Sequence, residues 1–143
     1  MALDPSARSI LQSVFAMGFL TLVMFFWMSF TRLAAMKRAG LSFSDAQHPE
    51  DLRPRLDSAG RKAGDNYNHL LEAPTVFYAV SLAIVLSGAA DFAFVVAAWV
   101  FVSLRVAHSA VQATVNWVPA RLTFYQASWY VLGFLIVRGA MKL

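Results

Sequence analysis

From Ser9 to Thr31 the chain carries no ionisable side chain, and a helix over that stretch is long enough to cross the ~30 Å hydrocarbon core of a bilayer. Three more apolar runs follow, roughly Leu70 to Ser87, Phe92 to Val115 and Leu122 to Val137. Hydrocarbon offers no partner to a free backbone amide, so each run is read as a helix. The last run falls short of the usual ~20 residues, but Arg138 can snorkel and Gly139 to Met141 can extend it. A content of 59% hydrophobic and 14% charged residues agrees, being far from a soluble domain's balance. The fold class expected is an all-α integral membrane bundle of four transmembrane helices, about 9–34, 66–87, 92–115 and 120–140, in one domain over residues 1–143.

A secretory signal would have a shorter apolar core, a basic start and a small-residue cleavage site. Met1 to Ile10 offers only Arg8, and the run ends in Ser-Phe-Thr-Arg, so the first helix is expected in the mature protein. Residues 37–65 form a polar loop rich in proline, glycine and charge. The segments 87–91 and 116–120 are tight turns that make successive helices antiparallel. The long loop carries Lys37, Arg38, Arg53, Arg55, Arg61 and Lys62, with Arg32 at its edge, whereas the turn at 87–91 has no basic residue. That asymmetry places the loop in the cytoplasm and both termini on the other side. The net charge of +4 is read as basic loops beside anionic lipid. Nucleic acid is not expected as a partner, since the basic residues neither cluster nor interleave with exposed aromatics. The absence of cysteine excludes disulfides, thiolate metal sites and a protein thiol nucleophile.

Glu72, Arg105, His108 and Arg121 lie in or beside the apolar runs. A charge in hydrocarbon costs a few kcal/mol or more, so such groups mark a site or a pairing. With Asp65 or Asn66 as cap, Asp65, Asn68, His69 and Glu72 fall on one stripe of the second helix. Arg105, His108, Gln112 and Asn116 fall on one stripe of the third. At 1.5 Å per residue Glu72 lies roughly 9 Å inside the cytoplasmic edge, and Arg105 and His108 roughly 16 and 12 Å. A Glu72–Arg105 pair beside His108 is the simplest arrangement. Pro119 opens the fourth helix, which places Arg121, Tyr125 and Ser128 on one face and adds positive potential at the same edge. An anion would bind there. A structural ion pair, an interior histidine and a snorkelling arginine would explain the same residues singly. No metal site is expected, because no carboxylate or second histidine stands at a suitable spacing for His108.

The segment Asn-Tyr-Asn-His-Leu-Leu-Glu-Ala-Pro (66–74), the run Leu-Arg-Val-Ala-His-Ser (104–109) and Arg121, thirteen residues after His108, resemble the MAPEG family, the membrane-associated proteins in eicosanoid and glutathione metabolism. The resemblance covers roughly Arg61 to Gly139. It implies a homotrimer of four-helix subunits with glutathione as cofactor, held between neighbours near the cytoplasmic face. By that similarity Glu72 would bind the amino end of the tripeptide and Arg105 and His108 would support the polar site. Arg121 would be the catalytic residue, stabilising the thiolate, and Tyr125 would touch the ligand. Asn68, His69 and Gln112 complete the implied cofactor-binding set. Glutathione-using members carry asparagine at the position of His69, arginine at that of Asn68 or Asp65, tyrosine at that of Gln112 and serine or a similar residue at that of Leu122. The absence of cysteine fits, since the nucleophile would be the cofactor's own sulfur.

Three functional readings follow. The first is a glutathione-dependent transferase or peroxidase acting on hydrophobic electrophiles that partition from the bilayer. The second is a non-catalytic trimeric membrane protein binding a lipid or another anionic ligand. The third is a proton-coupled carrier, for which Glu72 and His108 could form a relay. The location expected is a bacterial inner membrane, there being no retention signal at Ala140-Met141-Lys142-Leu143.

Overall fold

The computed structural model describes residues 3–143. Helix α1 spans Pro5–Arg38, about one turn longer at its start and two turns longer at its end than the apolar run. The added first turn comes from Asp4, whose carboxylate accepts from the amides of Ser6 and Ala7 at 2.9 and 3.1 Å, with Pro5 at the first helical position. Two short 3-10 turns, Phe43–Ala46 and Arg53–Arg55, flank α2 (Pro49–Leu52), so the long loop is folded, not open. Leu52 and Leu56 are 2% and 4% exposed against Ala35 and Met36 of α1. Burying each contributes about 1.5–3 kcal/mol, which holds the loop to the helix end. Ion pairs Arg38–Asp57, Arg53–Asp65 and Arg55–Asp45 lace its surface.

The helix expected at 66–87 is two helices. Helix α3 (Ser58–His69) starts eight residues earlier, capped by Asp57, which accepts from the Gly60 amide at 3.0 Å. Asp65 is bound to Arg53 and Asn66 is buried in mid-helix, so neither is the cap. Hydropathy misses these two turns because they are amphipathic: Gly60 and Ala63 are buried while Arg61 and Ser58 face outward. The chain leaves helical geometry at Glu72 (φ −92°, ψ −98°), and α4 resumes over Ala73–Leu86. Pro74 causes the interruption, since it lacks an amide proton and its ring would collide with the carbonyl four residues back.

Gly88, at φ +72°, takes the left-handed conformation that ends α4. Asp91 then caps α5 (Phe92–Ala113), accepting from the Phe94 amide at 3.1 Å. Asn116, also left-handed at φ 52°, closes α5 by donating to Val111, and α6 runs from Val118 to Met141. Helices α5 and α6 lie antiparallel, while α1 packs on α3, α4 and α5. The core holds Met17, Phe77, Phe94, Phe101, Leu132 and Leu135, with Phe77 and Phe101 stacked at 4.4 Å. Buried Ser13, Ala73, Ser81, Ala98 and Ser128 let the helices approach closely, the packing that serves where lipid is as apolar as the core. Outside, Phe15, Phe19, Phe30, Phe92 and Tyr130 are more than half exposed. Three helical stretches, Pro5–Arg38, Ser58–Leu86 taken through its break, and Phe92–Ala113, are long and apolar enough to cross a membrane.

Far from the loop, Asp91 also binds Arg138 and Lys142 at 2.9 and 2.6 Å, and both cations lie over the Phe94 ring. The hydrogen bond from Lys142, opposed by some desolvation, together with the Phe94 amide and Arg138, holds the Asp91 carboxyl below its usual range.

Candidate functional site

The break between α3 and α4 faces the loop-side halves of α5 and α6, and polar side chains collect there. Helix α3 ends with carbonyls that no further turn can satisfy. Arg105, fully buried on α5, reaches across and donates Nη2 to the carbonyl of His69. Its Nε and Nη1 have no partner among the described residues. One guanidinium thus caps a helix end and keeps two unused donors sealed inside the bundle.

His69 and Glu72 sit on either side of the break. The His69 Nδ1 lies 3.2 Å from Glu72 Oε2, and the Tyr125 hydroxyl of α6 donates to the same oxygen at 3.1 Å. A carboxylate only accepts, so His69 carries its proton on Nδ1. Both bonds fall on Oε2, which leaves Oε1 without a donor among the described residues. The rings of His69, His108 and Tyr125 pack at centroid distances of 5.5–5.7 Å, and Arg105 stands 5.7 Å from the Tyr125 ring. The direct Glu72–Arg105 pair expected from matching depths does not form. The helix break turns Glu72 toward Tyr125 and His69, and Arg105 takes the freed carbonyl.

His108 is buried, with Nδ1 3.0 Å from the carbonyl of Arg121. That contact fixes its proton on Nδ1 and leaves a buried, unpartnered Nε2. The structure therefore meets His108 with the backbone of Arg121, while the guanidinium turns to Asn116 Oδ1 at 2.8 Å. Arg121 still sits in the first turn of α6, where the helix dipole adds to its charge. Gln112 is buried on α5 with neither end of its amide paired, as are Asn66 of α3 and the hydroxyl of Ser109. Asn68 departs from the expected set: it is exposed and lines a separate cavity of about 320 Å³ with Arg32, Arg53, Arg61 and Tyr67, on the α1 side of α3. Asn66 and Ser109 were not among the expected site residues. The signal for them lay in the pattern, since each follows or precedes a site residue by three or four positions.

The model of the MAPEG family matches residues 10–141 of the 143. The chain belongs to the MAPEG family. No curated protein and no solved structure matches it. This MAPEG chain is accordingly an integral membrane protein of a family in glutathione and eicosanoid metabolism. Its polar cluster lies on the segments that carried the resemblance.

Proposed function

We propose that this protein is a glutathione-dependent transferase or peroxidase acting on hydrophobic electrophiles, with Arg121 stabilising the glutathione thiolate. One observation carries the reading: Glu72 is held by two donors yet 47% exposed, with Oε1 left without a donor among the described residues. A free acceptor on an exposed carboxylate suits a ligand that carries an ammonium, and glutathione is such a ligand. A half-exposed carboxylate on the flank of a membrane bundle is costly unless something covers it. A neighbouring copy would cover it, which supports a homotrimer with the ligand between subunits. In that assembly α6, 24 residues long and paired with α5, forms the fourth span. The basic loop faces the cytoplasm and both termini the opposite side. Arg121, at a helix N-terminus, adds positive potential that raises the thiolate fraction of a nearby thiol.

The second reading, a trimer that binds an anion or lipid without turnover, draws on Asn68 and Gln112. Asn68 lies outside the cluster, and Gln112 is neutral and sealed. Fewer cations then meet the two carboxylates.

Thermal unfolding of the purified protein across a glutathione titration tests the reading, because a ligand bound only to the folded state raises stability by RT ln(1 + [L]/Kd). A saturable rise is expected, lost in Glu72→Gln. Arg121→Ala should lose turnover of an activated aryl chloride while staying folded and trimeric. No rise at millimolar glutathione in folded wild-type protein would refute the glutathione reading, and turnover retained in Arg121→Ala would refute the role given to that arginine.

A further inference from the structure

We infer that the cavity between α1 and α3 binds the phosphate of an anionic membrane phospholipid. The inference is independent of the glutathione reading, since this cavity lies on the α1 side of α3, apart from the cluster around Glu72. About 320 Å³ is left there between the loop-side end of α1, the folded loop and α3, roughly ten water volumes and room for a phosphodiester. The space exists because α3 presents Gly60 and Gly64 to it. A Cβ at Gly64 would meet no atom within 4 Å, so the protein leaves that volume unfilled. A second hollow of about 450 Å³ adjoins it on the loop surface and shares Glu50, Arg53 and Arg61 with it.

Arg32, Arg53 and Arg61 line the cavity against two acids, Glu50 and Asp65. Asp65 is already engaged, with both oxygens 3.1 Å from Arg53 Nη2. Arg32 and Arg61 enter none of the ion pairs among the described residues. Of the Arg32 nitrogens only Nε is sealed, so its stem is packed while both Nη atoms stay within reach of a ligand. Arg61 is exposed. Guanidinium and phosphate match in shape as well as in charge, two N–H groups to two oxygens. Tyr67 and Asn68, in the same wall, add a hydroxyl and an amide as uncharged donors. Glu50 is exposed at the rim and suits a headgroup hydroxyl as its acceptor.

What selects a lipid over a soluble anion is the other end of the cavity. Arg32 is the first charge after the apolar stretch from Ser9 to Thr31, so it stands where α1 leaves hydrocarbon. Met28 and Phe25 lie four and seven residues before it, on the same stripe of the helix. Met28 is in the cavity wall, and Phe25, 41% exposed, packs on the Tyr67 ring at 5.8 Å. The site is therefore cationic at the loop and apolar toward the membrane-spanning part of α1, the order of a phosphate head and its acyl chain. A soluble anion would use only the first half. Basic side chains beside a bilayer attract anionic headgroups in any case, and a cavity among them fixes one lipid in place. Because its lining comes from α1, the loop and α3, that lipid would brace all three.

The test uses the full-length protein in a neutral detergent, stripped of lipid until no phosphorus is detected. Thermal unfolding is followed across titrations of dioleoylphosphatidylglycerol, dioleoylphosphatidylcholine and inorganic phosphate, for wild type, Arg61→Gln, Gly64→Leu and Lys37→Gln. Phosphatidylglycerol should give a saturable rise in melting temperature, phosphatidylcholine a smaller one, and inorganic phosphate none at the same concentration. Arg61→Gln should weaken the apparent Kd for phosphatidylglycerol by about tenfold, as expected for one charge-assisted hydrogen bond. Gly64→Leu keeps every arginine but fills the cavity, and it should abolish the rise. Lys37→Gln removes a charge from the same end of α1 outside the cavity, and it should bind as wild type does. Should Gly64→Leu fail to fold, Arg61→Gln decides alone, since that side chain is exposed and in no ion pair among the described residues. Equal weakening in Lys37→Gln and Arg61→Gln would overturn the site in favour of diffuse attraction, and equal rises from both lipids would overturn it in favour of general solvation. An equal rise from inorganic phosphate would overturn the lipid assignment. No rise with phosphatidylglycerol in folded wild type, or an undiminished rise in Gly64→Leu, would overturn the inference while leaving the glutathione reading untouched.

Discussion

Arg105 shows how much one side chain settles. It caps α3 by binding the His69 carbonyl, and does so from a fully buried position. Removing it orphans a carbonyl that no neighbouring helix can satisfy, at a cost of about 1–3 kcal/mol. Replacing it with a small residue adds a cavity, and large-to-small changes in cores cost about 2–5 kcal/mol. Arg105→Met should therefore lower stability less than Arg105→Ala, measured by unfolding in detergent without ligand. Both should abolish stabilisation by glutathione. Equal losses from the two variants would show that filling the volume is irrelevant and that the carbonyl bond carries the whole effect.

Among the elements, the contact of α1 with α3 depends on a missing side chain. A Cβ at Gly60 would stand 2.9 Å from the Ala35 Cβ, with Leu56 close behind. Neither neighbour is flexible enough to swing away, so α3 would have to move off α1. Overpacking of this kind costs about 1–3 kcal/mol, and Gly60→Ala should destabilise the protein by that amount even though alanine is the better helix former. Because α3 carries His69, the same variant should weaken glutathione binding without touching the ligand. An unchanged melting temperature in Gly60→Ala would count against the close approach of the two helices.

For the whole molecule, acid should open the loop before the bundle. Hydrogen bonds from Ser42 and from Arg55 hold the Asp45 carboxyl down at about 2, and the Gly60 amide and Arg38 lower that of Asp57. A depressed folded-state value means that the unfolded chain takes up protons first. The contribution is complete above the ordinary carboxylate value and is lost as pH falls from there toward about 2. Proteolysis or amide exchange across residues 41–57 should rise in that window while helix content persists. Loss of helix content at the same pH would mean that loop and bundle unfold as one.

How much of this was readable in advance follows from the physics each residue obeys. The apolar runs from Ser9 and from Phe92 lie in α1 and α5, and Pro119 lies in the first turn of α6, because hydropathy and proline geometry act locally. The early start of α3 was hidden, since its two extra turns are held by tertiary contact with α1 and not by an apolar run. The convergence of Glu72, His69, His108 and Tyr125 was visible in spacing and depth. Their actual partners were not, because the break at Glu72 rotates the carboxylate by an amount that a continuous helix cannot anticipate. That Asn68 faces outward and Asn66 inward has one cause: which face of α3 turns inward depends on Gly60 and Ala63 packing on α1, a fact of tertiary structure.

At the opposite end from the site, Asp91 is engaged three times over, by the first turn of α5 and by two cations of the last turn of α6 and the residue after it. Those obligations have different chemical demands. Asparagine could still cap the helix but would not neutralise Arg138 and Lys142, and glutamate would keep the charge but is a poorer cap. Replacing Asp91 by any other single residue would therefore give up at least one of these contacts.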